Sequence, residues 1–253
     1  VVSCGEIYTA YSAGYPLENA YFHSNNKTDD DVAFAIEKGV GYFVVDNEEE
    51  LYAINAEAGR RGIVQPLLLR ITPGIDPHTF EAVATGKVDS KFGSAIETGQ
   101  ADEMVKTAIS LNNIKLAGFH CHVGSQVFDA DVFLRSADVM LEFVRDMRDK
   151  YGVVAEQLDL GGGFGVRYLA SDPVLDLPAV VAEIGDFVKN KVNELGIDMP
   201  IIGFEPGRSI VADAGMTLYS VGTVKRIPEF INYISVDGGM TDNIRYALYG
   251  ASY

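Results

Sequence analysis

The stretch "LDLGGGFG", residues 158–165, decides how the chain is read. A short apolar run ends in three consecutive glycines, Gly161, Gly162 and Gly163. Glycine loses more conformational freedom on folding than any other residue, so core packing alone does not call for three in a row. Two readings are open for them. Successive backbone N–H groups without a Cβ form a concavity for an anion, or the glycines permit a tight turn or a close approach of neighbouring chain. The spacing is not the dinucleotide fingerprint, which needs G-x-G-x-x-G at the first βα turn of an open sheet.

Working outward, short apolar runs alternate with amphipathic stretches. Strands are expected at 1–3, 20–23, 41–45, 66–71, 115–120, 156–160 and 200–204. They are apolar on both faces, as parallel strands covered by helices should be. Between them lie helical patterns. "NEEEL" at 47–51 offers Asn47 as N-cap and Glu50 three residues on, a capping-box arrangement. Leu51, Ile54 and Ala58 follow on one face, and Gly62 ends it. Phe133, Ala137, Met140 and Val144 make one further stripe, and Val181, Ile184, Val188, Val192 and Leu195 another. Core packing is the expected use of such stripes.

Strict βα alternation means a parallel α/β fold, open or closed into a barrel. Seven strands are counted, and a (β/α)8 TIM barrel needs eight, which puts the first strand upstream of Val1. With that strand added, "LDL" is strand seven and "IIGF" strand eight. Barrel active sites lie at the C-terminal strand ends, with a phosphate site often formed after strands seven and eight. The glycine run follows the first, and "EPGRS", residues 205–209, follows the second. Beyond Arg208 the pattern turns antiparallel, in "SIVADAGMTLYSVGTVKRI" and "FINYISVDGG". The expected organisation is a barrel over 1–208, truncated at its N-terminus, and the start of a truncated C-terminal β domain over 209–253.

Composition sets limits on partners. The 253 residues carry a formal net charge of −16, which argues against nucleic acid or an anionic membrane as partner. No apolar run approaches the roughly 20 residues of a spanning helix. Cys4 and Cys121 stand in no metal-ligand spacing and read as reduced thiols of a cytoplasmic protein.

Several side chains fall at strand ends. Glu205 and Arg208 could serve a heteroaromatic nitrogen and an anion respectively, or could pair with each other. In "GFHCHVGSQ", residues 118–126, His120 and His122 share a side of the strand. A metal is one reading, but no third ligand is evident; stacking on a planar ring or a satisfied core position is the other. Ser125 could donate to a phosphate. Arg70, in "LLLRITPG", is either a mouth residue or a buried ion-pair partner.

Taken together, "HCHVGSQ", "LDLGGGFG", "EPGRS", "TGKVDSKFG" at 85–93 and "DNIRYALYG" at 242–250 resemble the pyridoxal-phosphate-dependent decarboxylases with an alanine-racemase-like barrel. The resemblance implies pyridoxal 5'-phosphate as cofactor, no metal, an amino acid as substrate, and a homodimer with shared active sites. It implies that His122 stacks on the cofactor ring and that Glu205 pairs with the pyridine nitrogen. Ser125, Gly161, Gly162, Gly163, Pro206, Gly207 and Arg208 would hold the phosphate end, with Arg70 near the ring oxygen. Arg208, Arg245 and Tyr249 would contact the substrate, and Glu6 would lie near the cofactor lysine. Arginines at that end suit a substrate with a second amino-acid terminus. The family's Schiff-base lysine is expected upstream of Val1, with Lys27 a poor substitute, and its catalytic cysteine and cofactor-contacting tyrosine are expected downstream. Relatives acting on other basic amino acids or carboxynorspermidine, and a non-catalytic regulatory homologue, are the competing expectations.

Overall fold

The computed structural model describes residues 1–76 and 85–249, the side chains of Tyr246 and Tyr249 excepted. The parallel strands run in the order β1 (Tyr21–Phe22), β2 (Tyr42–Val45), β3 (Gln65–Thr72), β5 (Ile114–His120), β6 (Gln157–Asp159) and β7 (Ile201–Gly203). A short β4 (Ser94–Ala95) pairs with β3. Helices α1 (Cys4–Ser12), α2 (Asp29–Lys38), α3 (Glu48–Arg61), α4 (Gln100–Ser110), α5 (Ala130–Tyr151) and α6 (Leu177–Leu195) cover the outer face.

Alternation along the strands divides the side chains between two cores. Leu67, Leu69 and Ile71 of β3 join the large cluster under the helices. Leu68, with Val44 and Ala117, packs with Tyr21 and Tyr42 on the inner face. The Tyr21 hydroxyl donates to Gln157 Oε1 at 2.5 Å, although β1 and β6 are not neighbours in the sheet. A direct bond between distant strands requires the sheet to curl. The architecture is that of a partial (β/α)8 barrel.

The segment 1–3 does not form the expected strand. Val1 does lie alongside β1, donating to the Tyr21 carbonyl and accepting from His23 N–H, both at 2.9 Å. Ser3 then turns the chain into α1, its side chain accepting from Glu6 N–H. The expected helix stripes are buried, with Val181 and Leu195 at the margin. The capping box at α3 is only half formed. Asn47 accepts from Glu50 N–H, but the Glu50 carboxylate turns inward, accepting from Asp46 N–H at 3.0 Å and Lys27 Nζ at 3.2 Å. A buried ammonium with no water available outcompetes an exposed N-cap amide.

After β7 comes the short α7 (Gly207–Val211), then an antiparallel pair, β8 (Val221–Arg226) and β9 (Asn232–Val236), and α8 (Arg245–Tyr249). Side chains here, Leu218 and Phe230 among them, are largely exposed.

Candidate active site at the barrel mouth

The C-terminal strand ends place six polar side chains at one end of the barrel: His23, Asp46, Arg70, His120, Asp159 and Glu205. Glu205 is held by its backbone first. Its N–H donates to the Gly161 carbonyl at 2.8 Å, and Leu160 N–H donates to the Gly203 carbonyl at 3.0 Å. The loops after β6 and β7 are thereby zipped together. A Cβ on Gly162 would overlap the Glu205 carbonyl, and one on Gly163 the Gly124 carbonyl. One on Gly161 would lie 2.5 Å from the Cys121 carbonyl. What comes too close for side chains is therefore the backbone of the two flanking loops.

The amides of the three glycines are not equivalent. Gly161 donates to Asp159 Oδ1 at 2.7 Å and Gly162 to His122 Nδ1 at 3.3 Å. Gly163 N–H has no acceptor among the described residues.

The Glu205 carboxylate is gripped by two imidazoles. His23 Nε2 lies 2.5 Å from Oε1, off the ideal hydrogen-bond direction, and His120 Nε2 lies 3.2 Å from Oε2. Burial works against the Glu205 charge, but hydrogen bonds from His120 and His23 outweigh it and hold the group well below the usual carboxylate range. Burial lowers His120 to about 3, against the opposing effect of Glu205, so the ring is neutral at pH 7. Burial also lowers His122, to about 4. Asp159 goes the other way: burial, then the charge of Glu205, push it up to about 7.

Arg70 lies half-buried at the mouth. It pairs in register with His120, places Nε 3.8 Å from Asp46 Oδ1, and lays its guanidinium over the Phe92 ring at 4.5 Å. Asp46 also accepts from Gly93 N–H at 2.9 Å. The stretch 85–93 is docked on the His122 loop, with Thr85 Oγ1 donating to the His122 carbonyl at 2.7 Å.

The remaining sequence candidates are dispersed. Glu205 takes the two histidines as partners, while Arg208 Nη1 donates to the Tyr168 hydroxyl at 3.0 Å. Pro206 caps α7 and Gly207 N–H returns to the Glu205 carbonyl at 2.8 Å. Ser125 lies half-buried in the loop after β5. Arg245 opens α8, and the Tyr249 side chain lies outside the described residues. Glu6 is exposed and accepts from Val2 N–H. Lys27 is spent structurally: Nζ donates to the carbonyls of Ser24 and Val44 and to Glu50. Cys4 and Cys121 are free thiols, Cys121 buried. A cleft of about 510 Å³ opens beside the mouth, lined by Asp46, Asn47, Ser94, Thr98, Glu103 and Met104. Its carboxylates make it a poor anion site, and only Asp46 links it to the cluster.

The sequence reading missed His23 and Asp159. Both sit at the C-terminal end of a barrel strand, and that position alone is the signal that could have found them.

A curled parallel barrel with a glycine loop and an anchored carboxylate at its mouth defines a class, and comparison with known proteins identifies it. The model of the pyridoxal binding domain of pyridoxal-dependent decarboxylases matches residues 1–212, and the chain belongs to that family. Across all of its 253 residues it is 44% identical to the diaminopimelate decarboxylase of Staphylococcus aureus (strain COL), covering 58% of that protein. It is 39% identical to the diaminopimelate decarboxylase of Mycobacterium tuberculosis (strain ATCC 25618 / H37Rv), again covering 58%. The structure of the M. jannaschii diaminopimelate decarboxylase in complex with L-lysine matches with a TM-score of 0.87 at 33% identity, over 100% of this chain and 57% of that one. The chain thus spans well under two thirds of the length of these relatives.

The residues present fit a pyridoxal group. Gly163 offers an amide with no acceptor among the described residues, in a loop packed so closely against the Gly124 carbonyl that only glycine fits. Glu205 is a carboxylate at the mouth held well below the usual carboxylate range, the acceptor a protonated ring nitrogen needs.

Proposed function

We propose that the protein carrying this chain decarboxylates meso-2,6-diaminopimelate to L-lysine, the last step of lysine biosynthesis, with pyridoxal 5'-phosphate as cofactor. The observation that carries the reading is Glu205, a carboxylate kept ionised by two imidazoles beside the triple-glycine loop. The choice among amino acids is supported by the names of the relatives matched along the whole chain.

The cofactor, when bound, supplies an electron sink for the carbanion left on loss of CO2. Glu205 would keep a proton on the ring nitrogen, and His122 would lie against the ring. Ser125, the Gly161–Gly163 loop and the 206–208 turn would hold the phosphate end, with Arg70 near the ring oxygen. Arg208, Arg245 and Tyr249 would receive the distal amino-acid end, where an arginine fork suits a carboxylate. In this reading residues 1–208 form the cofactor-binding barrel, 209–253 begin a second β domain, and two copies form a homodimer with shared sites. Among the described residues no helix is long and apolar enough to cross a membrane. The proposed location is cytoplasmic.

The test is Glu205→Gln in the full-length protein. It should bind pyridoxal phosphate yet turn over diaminopimelate roughly 10²–10³-fold more slowly, the scale of losing one preorganised charge. An unchanged turnover number would refute the role given to Glu205.

A further inference from the structure

We propose that His23 and His120 are positioning residues for Glu205, one imidazole to each carboxylate oxygen, fixing the direction in which that carboxylate faces the barrel mouth. The proposal rests on the reading of Glu205 as partner of the ring nitrogen.

Three observations carry it. The first is geometric. His23 follows β1 and His120 ends β5, strands that are not neighbours in the sheet. Their Nε2 atoms lie against different oxygens of one carboxylate, His120 in hydrogen-bond geometry and His23 in close contact off that geometry, and the two rings pack edge to face with centroids 4.9 Å apart. The terminal torsion of a free glutamate is broad, so an unheld carboxylate would sample many directions. Bonded by His120 on one oxygen and crowded by His23 on the other, it cannot turn without losing the bond or pressing on the second ring. A carboxylate has about four acceptor sites, so two imidazoles leave lone pairs for a third donor.

The second concerns the proton on His120. Its Nδ1 is buried without a partner. A bare acceptor nitrogen is a cheaper orphan than a buried N–H, which assigns the proton to Nε2, where it is donated to Glu205. The third concerns what holds His23. The next residue, Ser24, has φ +141, a region costly for a side-chain-bearing residue. Its carbonyl is pinned by the buried Lys27 ammonium at 2.7 Å. The backbone beside His23 is therefore held against its local preference.

The same three side chains could be read as metal ligands, since their donor atoms lie within 4.8 Å of one another. Donors bound tetrahedrally to zinc at about 2.0–2.1 Å sit roughly 3.3 Å apart. His23 Nε2 and Glu205 Oε1, at 2.5 Å, are already in direct contact with no room between them.

The experiment uses the full-length protein with pyridoxal phosphate, comparing His120→Leu, His120→Gln, His23→Leu and His23→Gln with Glu205→Gln. Glutamine can present an N–H donor near the position of Nε2, and leucine cannot. His120→Leu should lower kcat roughly ten- to a hundredfold, the loss of one hydrogen bond to a charge, and His23→Leu should lower it by a smaller factor, each with KM for diaminopimelate within about twofold. Each leucine variant should also weaken cofactor binding, measured by equilibrium dialysis without substrate, and each glutamine variant should recover most of both losses. Should His120→Leu fail to fold, the His23 pair makes the same comparison at a less buried position. Equal losses in leucine and glutamine variants would overturn the proposal, because bulk rather than a donor would then be what matters. A loss in Glu205→Gln with none in the leucine variants would overturn it while leaving the ring-nitrogen reading intact. Full turnover in Glu205→Gln would overturn that reading, and the clamp with it.

Discussion

Gly162→Ala isolates the close approach on which the mouth is built. Its φ lies outside the left-handed region, so alanine meets no backbone strain there, unlike Gly161 at φ +71 or Gly163 at φ +94. The added methyl would overlap the Glu205 carbonyl and come within 3.5 Å of Pro206 N. Those are backbone atoms, tied down by the bond from Glu205 N–H to the Gly161 carbonyl at 2.8 Å, and cannot swing aside as a flexible side chain would. Overpacking of this kind costs about 1–3 kcal/mol. A domain of this size loses about 2–4 °C of Tm per kcal/mol, so Tm should fall by about 2–12 °C. Moving Glu205 by about 1 Å should also slow turnover of diaminopimelate roughly 100-fold. Gly185→Ala is the internal control. It lies within α6 with no atom within 4 Å of a new Cβ, and alanine there should stabilise by about 0.5–1 kcal/mol. Thermal unfolding and kcat of parent and both variants in the full-length protein make the comparison. A Gly162→Ala protein as stable and as active as the parent would refute the claim that the loops need this contact.

Two further outcomes follow from buried and half-buried charges. Lys27→Ala leaves the Glu50 carboxylate buried without its ammonium and should cost about 3–5 kcal/mol in urea unfolding, with Lys27→Met/Glu50→Leu recovering most of it; equal stability of Lys27→Ala and parent would contradict this. Asp102 is lowered to about 2 by hydrogen bonds from Lys150 and Tyr151. Its contribution is therefore fully present above its ordinary value near 3.8 and fades as pH falls through about 2. The stability difference between parent and Asp102→Asn should be constant from pH 7 to about 5 and shrink between about 4 and 2; a gap that does not depend on pH would rule out that ion-pair account.

Much of the fold was legible because it is written in local periodicity. Two-sided apolar runs gave the strands, and the stripe Phe133, Ala137, Met140, Val144 gave the buried face of α5. Where local reading failed, a distant partner had intervened. Glu50 has the right spacing for a capping box, yet Lys27 draws its carboxylate away. The segment 1–3 has a strand's composition, but Ser3 ends it by capping α1.

The mouth divides along the same line. "EPGRS" and "LDLGGGFG" point to their loops because a proline, a charge and consecutive glycines are unusual in any context. His23 carries no such mark: "AYFH" is an ordinary strand ending in an imidazole. Its part in the cluster exists only once the sheet has curled far enough to bring the end of β1 against the end of β7. His120 was visible as half of a His-x-His pair, but its side-chain partner is Glu205 rather than the neighbouring His122. Closure of a barrel is a property of the whole sheet, set by strand tilt and stagger rather than by any short motif. Residues that act across the mouth are therefore the ones a linear reading misses, whereas those that act within one loop are the ones it finds.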